Sequence, residues 1–264
     1  MTNSKVVVTG GSGNLGRVTL RTFLDAGYEV LNLDVLAPHE RNCESWIADL
    51  NQTGDLYEAC KGADAVIHLA FKPHTQRGSQ IEKAPIDRFD NEYENIQMAN
   101  NIYRCAYDAG VQRIAVASSN HAADWYEHSL IHDRKMDMVR PTDFPISDNF
   151  YGWAKAAYEL LSYPYACGIF GRKLETVMLR IGFTRDIEAS QYLTEGAMSE
   201  QTQGGLAEFK RNLGAYISPR DITQLFTKAV EAPNIENEHG VPFVVAYGCS
   251  DNTRRFWSLE TARK

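Results

Sequence analysis

The sequence predicts a doubly wound α/β fold, a parallel sheet covered by helices on both faces, in one domain over residues 1–264 with a small C-terminal substrate-binding portion. Three observations predict it. Lys5 to Thr9 holds three consecutive valines and runs straight into a glycine-rich turn, as suits a strand buried on both faces. A second apolar run, Tyr28 to Leu33, ends in an acid, Asp34. Further strand-like runs alternate with helix-period segments along the rest of the chain, the order that builds a parallel sheet.

The turn after the first strand carries Gly10, Gly13 and Gly16. Side chains there would collide with a pyrophosphate, and a helix from about Leu15 to Ala26 would aim its N-terminal N–H groups, at Asn14 and Leu15, toward the phosphates. Glycine spacing alone is a weak signal, because strand-to-helix turns use glycine for structural reasons. Asp34, eighteen residues after Gly16, strengthens it, since an acid near this distance meets the adenosine ribose. Together they form a Rossmann-type dinucleotide fingerprint. A carboxylate accepts from the ribose hydroxyls and repels a 2′-phosphate, and no Arg or Lys stands in Val35-Leu36-Ala37-Pro38. The cofactor is therefore read as NAD rather than NADP, although Asp34 taken alone could simply end a strand.

Composition excludes several classes of function. The chain has 44% hydrophobic and 23% charged residues and a formal net charge of −7, with no electrostatic case for nucleic acid or an anionic membrane surface. No apolar run approaches a membrane span, and the N-terminus enters a core strand directly, so a cytoplasmic location is expected. The cysteines at 43, 60, 105, 167 and 249 are odd in number and lack C-x-x-C spacing. Neither a disulfide framework nor a metal site is expected from them.

Taken in order, Asn42 to Asp49 reads as a short strand and Asp55 to Cys60 as a short helix. Ala63 to Ala70 suits a fourth strand, within which His68 is expected to be a hydrogen-bonded core residue. Phe71 to Asp90 is polar and interrupted by Pro73 and Pro85, a long loop over the mouth of the site. Its Lys72, His74, Arg77 and Lys83 either meet an anionic substrate or are solvated, the latter being the reading for Arg77 and Lys83. Asn91 to Ala109 has helical spacing and ends at Gly110. A fifth strand, Arg113 to Ala117, delivers Ser118-Ser119-Asn120-His121 at its C-terminal end, where ligands of parallel sheets sit.

Phe150-Tyr151-Gly152-Trp153-Ala154-Lys155 then sets a tyrosine and a lysine four residues apart, on one helical face. A free tyrosine has a pKa of about 10, and a nearby ammonium favours its phenolate. Leu174 to Ile181 reads as the sixth strand, and the segment from Phe183 to Gly205 is polar and without periodicity. Ser218-Pro219-Arg220-Asp221 opens a helix to about Ala232, with Asp221 as cap or first-turn acid. Val241 to Tyr247 suits a last strand.

The ordered set of Thr9-Gly10-x-x-Gly13-x-x-Gly16, a strand-end Ser119 and Tyr151-x-x-x-Lys155 resembles the extended short-chain dehydrogenase/reductases. Ser118-Ser119-Asn120-His121 in particular resembles NAD-dependent uronate dehydrogenases and haloarchaeal-type glucose-6-phosphate dehydrogenases. The resemblance implies that Ser119, Tyr151 and Lys155 are catalytic, with Lys155 lowering the tyrosine pKa. It implies that Asp49 and Leu50 contact adenine, that Leu69, Ala70, Asn95 and Ser118 line the cofactor side, and that the backbone near Ile181 closes over the nicotinamide. Ser119, Asn120, His121 and Tyr151 would contact the sugar, Arg211 would pair with its acid group, and Phe256 or Trp257 would wall the site. The substrate-binding elements would come mainly from 183–220 and 248–258. Two departures are Pro73, where the uronate enzymes carry a substrate-touching serine, and the long segment before Arg211.

The implied activity is oxidation of the anomeric C1 hydroxyl of an acidic hexose to the lactone, by hydride transfer to NAD. The acid could be a uronate carboxylate, a phosphate or a sulfonate. A homo-oligomer is expected, since the face carrying Ala156, Leu160 and Leu161 often pairs helices between subunits of this superfamily. The alternatives are a nucleotide-sugar epimerase or dehydratase of the same superfamily, which needs room for a nucleoside diphosphate, and a non-catalytic NAD-binding regulator, which commonly lacks the Ser, Tyr and Lys set.

Overall fold

The computed structural model describes residues 4–38, 43–74, 83–188 and 206–264. Seven strands, β1 (Lys5–Thr9), β2 (Glu29–Asp34), β3 (Glu44–Ile47), β4 (Ala65–His68), β5 (Arg113–Ser119), β6 (Glu175–Ile181) and β7 (Phe243–Gly248), form one sheet. Their order is β3-β2-β1-β4-β5-β6-β7, and every pairing is parallel. The chain builds outward from β1 to β3, then returns to lay β4 on the other side of β1. That reversal opens a crevice beyond the carboxyl ends of β1 and β4.

Alternation along β1 explains its valines. Val7 joins a buried cluster with Ile102, Tyr103 and Tyr158, while Val6 and Val8 join a second cluster with Leu20, Phe23 and Phe226. Successive strand residues face opposite sides, so a strand between two helical layers must be apolar at every position. The first cluster takes residues from α2 (Thr53–Cys60), α3 (Phe89–Asp108) and α5 (Phe150–Cys167), the second from α1 (Asn14–Asp25) and α7 (Pro219–Glu231).

Three elements lie where the sequence shows none. A 3-10 turn at Pro85–Arg88 leads directly into α3, its proline placed where a helix start loses no hydrogen bond. After β5 the chain enters a helical run, Asn120–Ala123, α4 (Asp124–Tyr126) and a π turn at Glu127–Ile131, begun by the Ser119 hydroxyl, which accepts from the His121 N–H at 3.2 Å. α6 (Leu206–Ala215) stands next to the segment 189–205, which lies outside the described residues. Polar side chains hid these short elements, because their stability comes from caps and tertiary contacts rather than from an apolar stripe. At α7 the cap is Ser218, which accepts from the Asp221 N–H at 3.1 Å, and Asp221 is the first-turn acid.

Candidate active site

The glycine turn is built by close approach. A Cβ at Gly10 would lie 2.5 Å from the Ala70 backbone nitrogen, and one at Gly16 2.3 Å from the Gly10 carbonyl oxygen. Gly10 also has φ +77°, which favours glycine. Gly13 differs. It is exposed, and a Cβ there meets only the Gly10 carbonyl oxygen, at 3.3 Å. Its backbone faces open space at the start of α1, where first-turn N–H groups have no intrahelical partner. Asp34 ends β2 beside this turn, its carboxylate accepting from the Ser12 and Leu36 N–H groups at 2.9 and 3.0 Å. An open cradle at a helix N-terminus with a carboxylate at its side fits a dinucleotide.

The catalytic candidates converge from two elements. β5 ends in Ser119, which is 5% exposed. α5 is capped by Asn149, whose side chain accepts from the Gly152 N–H at 2.9 Å, so Tyr151 falls in the first turn. A Cβ at Gly152 would sit 2.1 Å from the His121 carbonyl oxygen, so only glycine lets α5 press against the chain after β5. One turn on, Lys155 is buried and donates from Nζ to the Ala117 carbonyl at 2.9 Å, and its Nζ lies 5.8 Å from the centre of the Tyr151 ring. Burial pushes the Lys155 pKa down to about 8, partly offset by the Glu92 carboxylate. The Tyr151 pKa is raised, by burial first and further by Glu92 and Asp124, while a hydrogen bond with Ser119 holds it down.

A charged cluster forms the far wall. His121 Nδ1 lies 2.8 Å from the Asp124 carboxylate, and Arg211 Nη2 lies 3.0 Å from both ring nitrogens of His121. A histidine donating from Nδ1 to Asp124 keeps Nε2 free to accept from Arg211. Arg211 Nε is 3.1 Å from Glu127. Burial alone would raise the Asp124 pKa, but bonds from His121, Ser147 and Asn149 outweigh it and lower it. A cavity of about 440 Å³ joins the parts. It runs from Asn14 and Leu15 past Leu69 to Ser119, Tyr151 and Lys155, and then to Arg211.

Comparison with known proteins gives the same grouping. The NAD dependent epimerase/dehydratase family matches residues 6–173. The chain belongs to this family. It is 30% identical to an NAD-dependent glucose-6-phosphate dehydrogenase of Haloferax volcanii, over 98% of this chain and 89% of that protein. It is also 30% identical to an L-arabinose 1-dehydrogenase (NAD(P)(+)) of the same organism, over 98% and 94%. A uronate dehydrogenase of Pseudomonas syringae is 27% identical over 99% of this chain and 80% of that protein. Among solved structures, the uronate dehydrogenase of Agrobacterium tumefaciens shares the fold, with a TM-score of 0.71, 23% identity and coverage of 100% of this chain and 83% of that one. NAD is the family's cofactor, and the cradle with Asp34 suits it.

Of the residues read from the sequence, Asn14, Leu15, Leu69, Ser118, Ser119, Asn120, His121, Tyr151, Lys155, Ile181 and Arg211 line the cavity. Gly10 and Gly16 shape the turn beneath it, and Ala70 packs against Gly10. Asp49 is exposed at the end of β3, while Leu50 is 4% exposed and belongs to the core, leaving little surface for an adenine ring. Ser118 donates to Glu159 at 2.8 Å. His68 is a core residue, 2.7 Å from the Thr9 hydroxyl, its pKa lowered by burial to about 3.

Three expectations are corrected. Asn95 does not face the cavity; it is fully buried, accepting from the Lys72 N–H at 2.7 Å and donating to the Lys72 carbonyl, so it fixes the chain after β4. Phe256 and Trp257 are 7% and 0% exposed and pack in a core cluster with Ala215 and Val139. Phe256 presses on Gly214 of α6, where a Cβ would meet its ring at 2.6 Å; among the described residues the aromatic side chains at the cavity besides Tyr151 are Phe71, Phe183 and His121. Lys72 and His74, for which the sequence leaves both substrate contact and solvation open, pair with Glu94 and Glu92 of α3, the His74 ring lying 5.9 Å from the Tyr151 ring, and Arg77 lies outside the described residues. Finally, the group that lowers the Tyr151 pKa is the Ser119 hydroxyl rather than Lys155, whose ammonium is buried and turned to the Ala117 carbonyl.

Sequence reasoning missed Asn149, Gly152, Asp124, Glu127 and Glu159. Only Asn149 carried a local signal, an Asn three residues before a glycine at a helix start; the others act through tertiary contacts. Glu159 takes both Arg180 Nε and Nη2, at 2.9 and 2.8 Å, beneath the site. This buried pair ties α5 to β6.

Proposed function

We propose that the protein is an NAD-dependent sugar 1-dehydrogenase that oxidises the anomeric C1 hydroxyl of an acidic hexose to its lactone. The observation that carries this reading is one cavity bounded by Ser119, Tyr151 and Lys155 at one side and by His121 and Arg211 at the other. The names of the three relatives support the sugar-dehydrogenase part of this reading, two of them naming acidic sugars and one the neutral pentose L-arabinose. Bound NAD supplies the acceptor for a hydride. The cradle at Gly10, Gly13 and Gly16, the Asn14 and Leu15 end of α1 and the Asp34 carboxylate would hold it.

The chain's own residues then handle the proton and the orientation. Ser119 donates to or accepts from the reacting hydroxyl and fixes its position; Tyr151, as phenolate, takes its proton. Lys155, its Nζ 5.8 Å from the centre of the Tyr151 ring, would hold the nicotinamide ribose. Asn120 and His121 meet the sugar hydroxyls, and Arg211 meets the acid group through its guanidinium fork. Of the α5 face with Ala156, Leu160 and Leu161, Leu160 is 55% exposed and supports a homo-oligomer through that helix, while Ala156 is 6% exposed and Leu161 packs against the core.

The test is NADH formation with glucuronate, galacturonate, glucose 6-phosphate, sulfoquinovose and neutral aldoses. Turnover of at least one acidic sugar, with kcat/KM at least tenfold above its neutral counterpart, is expected. Turnover of neutral sugars alone would refute the role given to Arg211.

A further inference from the structure

Arg211 is not an isolated cation at the end of the pocket. Glu127, in the π turn after α4, has a side chain only 1% exposed and places Oε2 3.1 Å from Arg211 Nε, an ion pair without hydrogen-bond geometry. Its other oxygen lies 3.2 Å from His132 Nε2. Arg211 itself is 17% exposed at the side chain. Asp124, fully buried, stands behind His121, and Glu208 of α6 lines the same cavity. Glu127, Asp124 and Glu208 thus stand around Arg211 and His121, while Lys155 is directed to the Ala117 carbonyl and has Glu92 near it.

We propose that Glu127 sets the charge selectivity of the sugar pocket, pairing with Arg211 at its Nε edge and offsetting part of its charge, so that a singly charged acid group is favoured over a doubly charged phosphate. This inference rests on the reading of the pocket as an acidic-sugar site. Anchoring at Nε leaves the two Nη groups for the pocket, and Nη2 already reaches the His121 ring. A carboxylate or sulfonate brings one negative charge, which the Arg211 Nη donors face and which the surrounding carboxylates repel only once. A phosphate dianion brings a second, which meets Glu127, Asp124 and Glu208. Glu127 cannot turn away cheaply, because a buried charge that loses its partner is strongly destabilising. Specificity of this kind is built from repulsion as well as attraction.

The test compares wild type, Glu127→Gln and Glu127→Asp, using two competitive inhibitors without the reacting hydroxyl, the 1-deoxy analogues of a hexuronate and of the hexose 6-phosphate. Wild type is expected to bind the uronate analogue more tightly. Glu127→Gln should move the ratio of inhibition constants about tenfold toward the phosphate, the order expected for one charge at close range in a partly screened site. Glu127→Asp, which keeps the charge, should retain the wild-type preference. An unchanged ratio in Glu127→Gln, or a wild-type preference for the phosphate, would overturn the proposal. Glu208→Gln, at the pocket surface, repeats the charge test without altering a buried site and should move the ratio the same way; no movement there in a chain whose Glu127→Gln form does not fold would also overturn it. Inhibition requires no turnover, so a chain that oxidises neutral aldoses alone would defeat the acidic-sugar reading while the ratio still decides the role of Glu127.

Discussion

Burial acts in opposite senses on Tyr151 and Lys155, raising one pKa and lowering the other to about 8. Their active form, phenolate beside ammonium, carries one proton across the pair. Near pH 8 the proton leaves Lys155, and the phenolate–ammonium form is one tautomer of the singly protonated pair that results, so activity requires the loss of one proton. The expected kcat/KM profile therefore climbs about tenfold per pH unit below pH 8 and levels off there, since kcat/KM follows ionisation of the free enzyme. In Lys155→Arg the guanidinium stays charged, and the proton must leave Tyr151 itself. The break should then move above pH 10, whatever the loss in absolute rate. A break that stays near 8 in that variant would assign it to another group.

At the scale of elements, the glycine turn makes two substitutions of equal size behave differently. Gly16→Ala drives a methyl into the Gly10 carbonyl at 2.3 Å and the Gly11 Cα at 2.5 Å, backbone atoms that cannot yield without moving the turn. It should cost about 1–3 kcal/mol of stability. Gly13→Ala meets only one atom, at 3.3 Å, so the fold should hold within about 1 kcal/mol. Its methyl enters the cradle instead, and NAD affinity should fall at least tenfold. Urea denaturation and calorimetric titration with NAD separate the two; a stable Gly16→Ala, or a Gly13→Ala that binds NAD normally, would contradict this reading of the turn.

Across the whole molecule, what was legible in the sequence followed the reach of the signal. The seven parallel strands and the main helices were readable because burial between two layers forces apolar runs and helical periods, as in Val6-Val7-Val8 and along α3. Gly10, Ser119, Tyr151 and Lys155 were readable because their spacing along the chain is itself the geometry. Residues that act across the fold were not. Glu127 is 84 residues from Arg211, Glu159 works through Arg180 on another element, and Gly152 matters because α5 touches the His121 backbone. Phe256 misled for the converse reason: an aromatic residue close in sequence to a site can be spent on the core, here against Gly214.

The sheet, the cradle and the charged wall all serve one claim, that Tyr151 removes a proton from a sugar hydroxyl held next to NAD. The most direct measurement is NADH formation by Tyr151→Phe, alongside its dissociation constant for NAD. The substitution removes one oxygen and leaves the ring contacts with Phe71 and His121 available, at centroid distances of 5.3 Å each. The account predicts a loss of about a thousandfold or more in kcat, with NAD affinity within about threefold of wild type. Turnover retained within about tenfold would contradict it.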